Sequence, residues 1–301
     1  MQLGYVTAIL PDWTLEQNLQ FAAHNGFDSL EVMCWPVGRA ERRYAGVTHI
    51  DVTHFTGADA ERVNSLCRQY GVGISSLGYY PNPLTPQAEE RQTYIEHIRK
   101  VIAASAMLGV NTMTTFVGRD PSKPIEDQWG DFEVVWKPLI AFAEGQGVRI
   151  GIENCPMLFS LDEWPGGKNL AISPDVWRRM FDIIPSDHFG LNFDPSHLIW
   201  QHIDYARCIY DFGDKFVHVH AKDTKIDADR LYERGIMGLK WHDPKLPGLG
   251  DVDWGKFFAA LRGVGYDGAV AIEVEDRAFE GSQAEIERSI LLSRDHLAQF
   301  M

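Results

Sequence analysis

A (β/α)₈ barrel is the fold that this 301-residue sequence predicts. Short β-rich runs alternate with amphipathic helical segments eight times along the chain, the repeat that closes a parallel barrel. No GxGxxG motif follows the first strand, which counts against a doubly wound open sheet. Four late strands end in acidic or imidazole side chains, on the face where a barrel collects its functional groups. No composition shift or linker divides the chain, so residues 1–301 are expected to form a single barrel domain.

The strand candidates, in order, are LGYVT, DSLEVMCW from Asp28, VGISSLGYY from Val72 and VNTMTTFVG from Val110. RIGIENC, FGLNFD, FVHVHAKD and GAVAIEVED complete the eight. Between them the apolar spacing is three and four. TLEQNLQFAAHNG puts Leu15, Leu19 and Ala22 on one face and stops at Gly26, suited to a left-handed helix end. ADAERVNSLCRQYG stops likewise at Gly71, and the longest helix, residues 87–108, at Gly109. FEVVWKPLIAFAEGQG, SPDVWRRMFDII, YARCIYDFG, VDWGKFFAALRGVGY and QAEIERSILLSRDHLAQF follow. In SPDVW, Ser173 is placed to cap the helix and Pro174 to occupy its first turn. The loops after strands 2, 5 and 7 (residues 35–57, 156–172 and 224–252) are long. Structureless loops of that length usually serve binding, and these three share one face.

A hydrophobic content of 45% supports a large core, and no apolar run reaches the roughly 18 residues that suggest a membrane span. The N-terminus MQLGYVTAILPDW reads as a first strand rather than a signal peptide. Cys34, Cys67, Cys155 and Cys208 are scattered without a CxxC pair, as reduced cytoplasmic thiols would be. The formal charge of −14 disfavours nucleic acid as a partner, and the nearest basic group, Arg39, Arg42 and Arg43, suits surface ion pairs better than phosphate.

Strand parity tests the four strand-end groups. Residues two apart share a face, so Glu153 points opposite Ile150 and Ile152, and Asp194 opposite Leu191 and Phe193. His220 pairs with His218, opposite Val217 and Val219, and Glu273 points opposite Val270, Ile272 and Val274. Glu153, Asp194, His220 and Glu273 therefore all point into the barrel. Carboxylates there need a cation, because burying one alone is costly. Three carboxylates and an imidazole suit one divalent metal, Mn²⁺ first, with Mg²⁺, Co²⁺ or Zn²⁺ as alternatives. Glu275 shares the face of Glu273 and competes with it as a ligand. His218, one layer deeper, suits a hydrogen-bonded core role. Lys222 and Asp223 either orient the ligands or touch substrate. Trp35, Tyr79 and Phe116 close strands and either offer faces for a sugar or pack under loops. His54 and His242 read as solvated loop residues, and Cys155 as a small filler.

IEN at Glu153, FDPSH with Asp194 and His197, HVHAKD with His220, PGLGDVDW and the closing YDGAVAIEVE together resemble the xylose-isomerase-like TIM barrels. That superfamily spans sugar isomerases and epimerases, inosose dehydratases and endonuclease IV. The resemblance covers essentially the whole chain and says little about substrate. In its ketose 3-epimerase branch, residues at the positions of Glu153 and Glu273 hold the metal and move protons, and one at the position of His197 contacts substrate oxygens. It therefore implies a sugar isomerase or epimerase working by carboxylate proton transfer through a metal-stabilised enediolate, with a small carbohydrate as partner. Dimers and tetramers, common among relatives, make a homo-oligomer an open expectation. The alternative is a lyase on the same scaffold, an inosose-type dehydratase or a 3-keto-glycoside-cleaving enzyme. DNA repair is disfavoured, since strands 3 and 4 end in LGYY and TTFVG without histidine and the strand-7 loop lacks Asp-x-His. A catalytically inert sugar sensor has no need of both proton-moving carboxylates.

Overall fold

The structure, a computed structural model, describes residues 1–38, 44–158 and 166–301. Its first half runs β1 (Gln2–Val6), α1 (Leu15–His24), β2 (Ser29–Met33), α2 (Gly57–Tyr70), β3 (Gly73–Gly78), α3 (Ala88–Leu108), β4 (Thr112–Thr115) and α4 (Trp129–Gln146). Then come β5 (Arg149–Glu153), α5 (Pro174–Ile183), β6 (Phe189–Phe193), α6 (Ser196–Ile199), α7 (Tyr205–Phe212) and β7 (Phe216–Ala221). The chain ends with β8 (Asp223–Ile226), α8 (Ala228–Arg234), β9 (His242–Lys245), α9 (Trp254–Gly263), β10 (Ala269–Ile272) and α10 (Gln283–Leu297). Eight strands form a closed barrel in the order β1-β10-β7-β6-β5-β4-β3-β2, every pair parallel, with helices between them. This is the expected (β/α)₈ TIM-barrel architecture.

Local chemistry sets the helix ends. Thr14 and Gln17 form a reciprocal capping box on α1, and Thr56 and Asp59 do the same on α2. Gly71 and Gly109 close α2 and α3 in the left-handed conformation, where a side chain would be strained. Ser173 occupies the N-cap position of α5 but accepts no backbone N–H, and its hydroxyl donates to the Asp175 carboxylate.

The segment after β7 departs from the expected structureless loop. β8 pairs antiparallel with β9, and α8 lies between them. Asp223 ties this hairpin to the PGLGDVDW segment. Its carboxylate accepts from the backbone N–H groups of Gly248 and Val252 and from Trp254 Nε1, all at 3.0 Å. A side chain at Gly250 would place Cβ 2.1 Å from Asp223 Oδ1, so that turn requires glycine. Asp223 thus acts as a loop anchor, and this spends the carboxylate that the sequence offered to the ligands or to substrate.

Two register shifts interrupt the barrel ladders, one between Leu30 and Glu31 and one between Leu191 and Asn192. Such irregularities re-aim side chains and cluster near functional sites. Glu31 and Asn192 both lie in the polar interior described next.

Candidate metal and proton-transfer site

Glu153 is the last residue of β5, Asp194 follows β6, His220 lies in β7 and Glu273 follows β10. Parallel register carries all four to the same barrel mouth. Each contributes one donor atom to a group whose members lie within 4.8 Å of one another. Backbone contacts orient them. Asp194 Oδ1 accepts from the Ser196 N–H at 2.8 Å, which turns Oδ2 toward the centre. Asn154 clasps the Asp194 backbone, accepting from its N–H at 2.8 Å and donating to its carbonyl at 2.9 Å. Asn169 Nδ2 donates to the Glu153 carbonyl at 2.8 Å, which pins the end of β5.

The Lys222 ammonium stands among these carboxylates. Its Nζ is 2.7 Å from Glu273, 3.1 Å from Asp194, 3.4 Å from Glu275 and 3.8 Å from Glu153. Burial opposes a charged lysine, but the surrounding carboxylates outweigh it and hold the ammonium well above the ordinary range. Burial also raises the Glu153 carboxyl, and Glu273 beside it adds to the rise. Glu273 feels the same burial, yet Lys222 and His220 bring it down to about 2. In the metal-free protein two carboxylates at one site are thus pushed in opposite directions.

These residues fit a divalent cation. Four carboxylates converge on one ammonium, leaving acidic donors in excess. Asp194 Oδ2 and His220 Nδ1 are buried and make no hydrogen bond, although charged neighbours stand at ion-pair distance. Hard oxygen donors with one imidazole suit the metals expected from the sequence.

Sequence reasoning missed Glu31. It is fully buried in the middle of β2, where an acid within a run of strand residues was the only signal. Glu31 Oε2 lies 2.8 Å from His220 Nε2, and Oε1 accepts from Thr114 Oγ1 at 2.9 Å and from the Tyr80 hydroxyl. Gly78 leaves room for this carboxylate, since a Cβ there would lie 2.9 Å from Oε1. Burial would raise Glu31, but His220, its hydrogen bond, His218 and Tyr80 together lower it. His218 has the expected core role, with Nδ1 3.1 Å from Asn192 Oδ1 and Nε2 3.1 Å from Ser75 Oγ. Burial takes it down to about 4, so it is neutral.

Trp35, Phe116 and Lys222 line a chamber with Glu153, His220, Glu273 and Glu275. His197 stands beside two of the ligands, Nε2 being 3.2 Å from Asp194 Oδ2 and 3.5 Å from Glu153 Oε1. Cys155 also lines the chamber, its thiol 3.3 Å from Met157 Sδ. His242 is half-buried rather than solvated, stacked on Trp200 at 4.7 Å. Arg39, Arg42 and Arg43 lie outside the described residues. None of the described helices is long and apolar enough to cross a membrane.

Comparison with known proteins gives one consistent answer. A sequence model of the family described as xylose isomerase-like TIM barrel matches residues 19–296. The protein YfiH of Bacillus subtilis is 25% identical over 92% of this chain and 93% of its own. The structure described as IOLI protein with a bound zinc atom superposes with a TM-score of 0.74 at 17% identity, over 100% of this chain and 99% of that one. D-Psicose 3-epimerase from Clostridium cellulolyticum H10, solved with D-tagatose, gives 0.71 at 14% identity over the same shares.

Proposed function

Because the chain belongs to the xylose isomerase-like TIM barrel family, we propose that it is a divalent-metal-dependent sugar isomerase or epimerase that moves a proton between Glu153 and Glu273. The observation that carries this reading is the convergence of Glu153, Asp194, His220 and Glu273 at one barrel mouth. The zinc in one structural neighbour and the epimerase activity of another support the metal and the reaction class.

Glu153, Asp194, His220 and Glu273 would hold the cation. When bound, it would supply Lewis acidity, offsetting the negative charge that builds on substrate oxygens as a carbon-bound proton leaves. One of Glu153 and Glu273 takes that proton and the other returns one, to the opposite face of the same carbon in an epimerisation or to the adjacent carbon in an isomerisation. Asp194 and His220 hold position, His220 through Glu31 behind it. His197 fixes Glu153 and Asp194 from outside, and Lys222 hydrogen-bonds Glu273 and faces the chamber, where it can meet a substrate oxygen. Trp35 and Phe116 give apolar walls for the sugar's C–H face.

Glu153→Gln and Glu273→Gln test the assignment, with metal content measured in parallel by elemental analysis. Each variant is expected to lose at least about a thousandfold in turnover even when reconstituted with metal, the scale of a lost acid–base group. Near-wild-type turnover in either metal-loaded variant would refute the proton-transfer role.

A further inference from the structure

Cys155 lies two residues beyond Glu153 and lines the same chamber, yet the proposed proton transfer assigns it no role. Its thiol donates to the Met157 thioether at 3.3 Å, a weak acceptor. The His197 imidazole reaches the same place from α6. Its Nε2 is buried and makes no hydrogen bond, with Asp194 Oδ2 at 3.2 Å and Glu153 Oε1 at 3.5 Å. Asp194 Oδ2 is itself fully buried and without a hydrogen bond. One donor atom from each of Glu153, Cys155 and His197 lies within 4.8 Å of the others. We infer that these three residues form a second cation site, for a thiophilic divalent metal such as zinc, which shares Glu153 with the four-ligand site. The inference goes beyond the proposed reaction, and its donor set does not depend on that reaction.

The two donor sets differ in kind. Glu153, Asp194, His220 and Glu273 offer three carboxylates and one imidazole, a hard set suited to manganese or magnesium. Glu153, Cys155 and His197 offer a carboxylate, a thiolate and an imidazole, the three ligand types of zinc, and leave its fourth position to water. Tetrahedral zinc spaces its nitrogen and oxygen donors by roughly 3.3 Å. The 3.5 Å between Glu153 Oε1 and His197 Nε2 is close to that spacing. The same oxygen lies 3.9 Å from His220 Nδ1, so it faces one imidazole of each set. Glu153 is therefore placed to bridge two cations, as carboxylates in two-metal sites do. Cys155 is partly exposed, so its thiol proton can leave to solvent as the metal binds. Manganese, which favours oxygen donors over thiolate, should fill the four-ligand site alone, whereas zinc suits both.

The test is equilibrium dialysis of the full chain against Mn²⁺ or Zn²⁺, with bound metal counted by elemental analysis. The wild type is expected to hold one equivalent of manganese and two of zinc, and Cys155→Ala one of each. Co²⁺ serves as the spectroscopic probe, because a coordinated thiolate adds a near-ultraviolet charge-transfer band that carboxylate and imidazole ligands lack. That band is expected in the cobalt-saturated wild type and in Cys67→Ala, whose thiol lies on α2, and is expected to vanish in Cys155→Ala. The wild-type spectrum needs no variant, so a folding defect cannot decide the answer. A wild-type spectrum without the band, or a Cys155→Ala variant that holds as much zinc as the wild type, would overturn the inference. His220→Ala separates the two sites. Zinc lost in His220→Ala but not in Cys155→Ala leaves the four-ligand site standing and removes this one. A thiolate band with one zinc equivalent in both wild type and His220→Ala supports this site and removes the four-ligand one.

Discussion

Glu31 Oε2 and His220 Nε2 meet at 2.8 Å in the closed interior of the barrel, both side chains buried. A carboxylate at that distance places the imidazole proton on Nε2. Once the second proton leaves, the lone pair is on Nδ1, which lies 3.3 Å from Glu273 and 3.9 Å from Glu153, facing the other ligands. One buried acid therefore selects the tautomer in which His220 can bind metal.

Glu31→Gln keeps the size and removes the charge that fixes this tautomer. Metal affinity, measured by competition with a chromogenic chelator, is expected to fall about 10–100-fold, the usual cost of losing such a partner. Unchanged affinity would mean that His220 is oriented by other contacts.

Lys222 is an internal cation that metal must share its carboxylates with. Lys222→Met is expected to destabilise the metal-free protein by about 3–5 kcal/mol, the scale for removing one partner of a buried ion pair. The deficit should shrink when metal is added. Thermal melting in chelator and in Mn²⁺ reads both effects, and an unaltered midpoint in chelator would contradict the ion-pair account.

Metal affinity should rise with pH. Burial and Glu273 raise Glu153, and burial is outweighed at His220 by Glu31 and Glu273, which raise it well above its ordinary value. Raised values in the metal-free protein mean that protons occupy these ligands and must leave as metal binds. Affinity is then lowest in acid and climbs as pH passes upward through the raised Glu153 and His220 values. Calorimetry in buffers of differing ionisation heat should detect proton release at neutral pH, and affinity flat from pH 6 to 8 would contradict it.

The barrel was legible because its signals are local. Strand–helix alternation, the stops at Gly71 and Gly109, and the parity of Glu153, Asp194, His220 and Glu273 are all properties of short segments. Glu31 was not legible, because its partner is 189 residues away and parity alone does not distinguish a network acid from any other interior polar group. The β8–β9 hairpin escaped for a related reason. HDPK carries no alternating apolar pattern, and its pairing is secured by Asp223 reaching the backbone of a distant turn. Ser173 shows the limit of cap reading, since Asp175 two residues on takes its hydroxyl. The Lys222 cluster depends on which of several strand-end charges meet, and that is settled only by the closed barrel.

The central claim is that this barrel mouth removes and returns a carbon-bound proton beside a carbonyl. Mass spectrometry after incubating the Mn²⁺-loaded protein in D₂O with pooled ketoses, inososes and 3-keto-glycosides tests it most directly. The account predicts that one substrate gains a single deuteron with its molecular formula otherwise unchanged. Loss of water or of an aglycone would instead show a lyase using the same carboxylates. Absence of any deuterium uptake or elimination by protein shown to hold one equivalent of metal, across the whole panel, would contradict the claim.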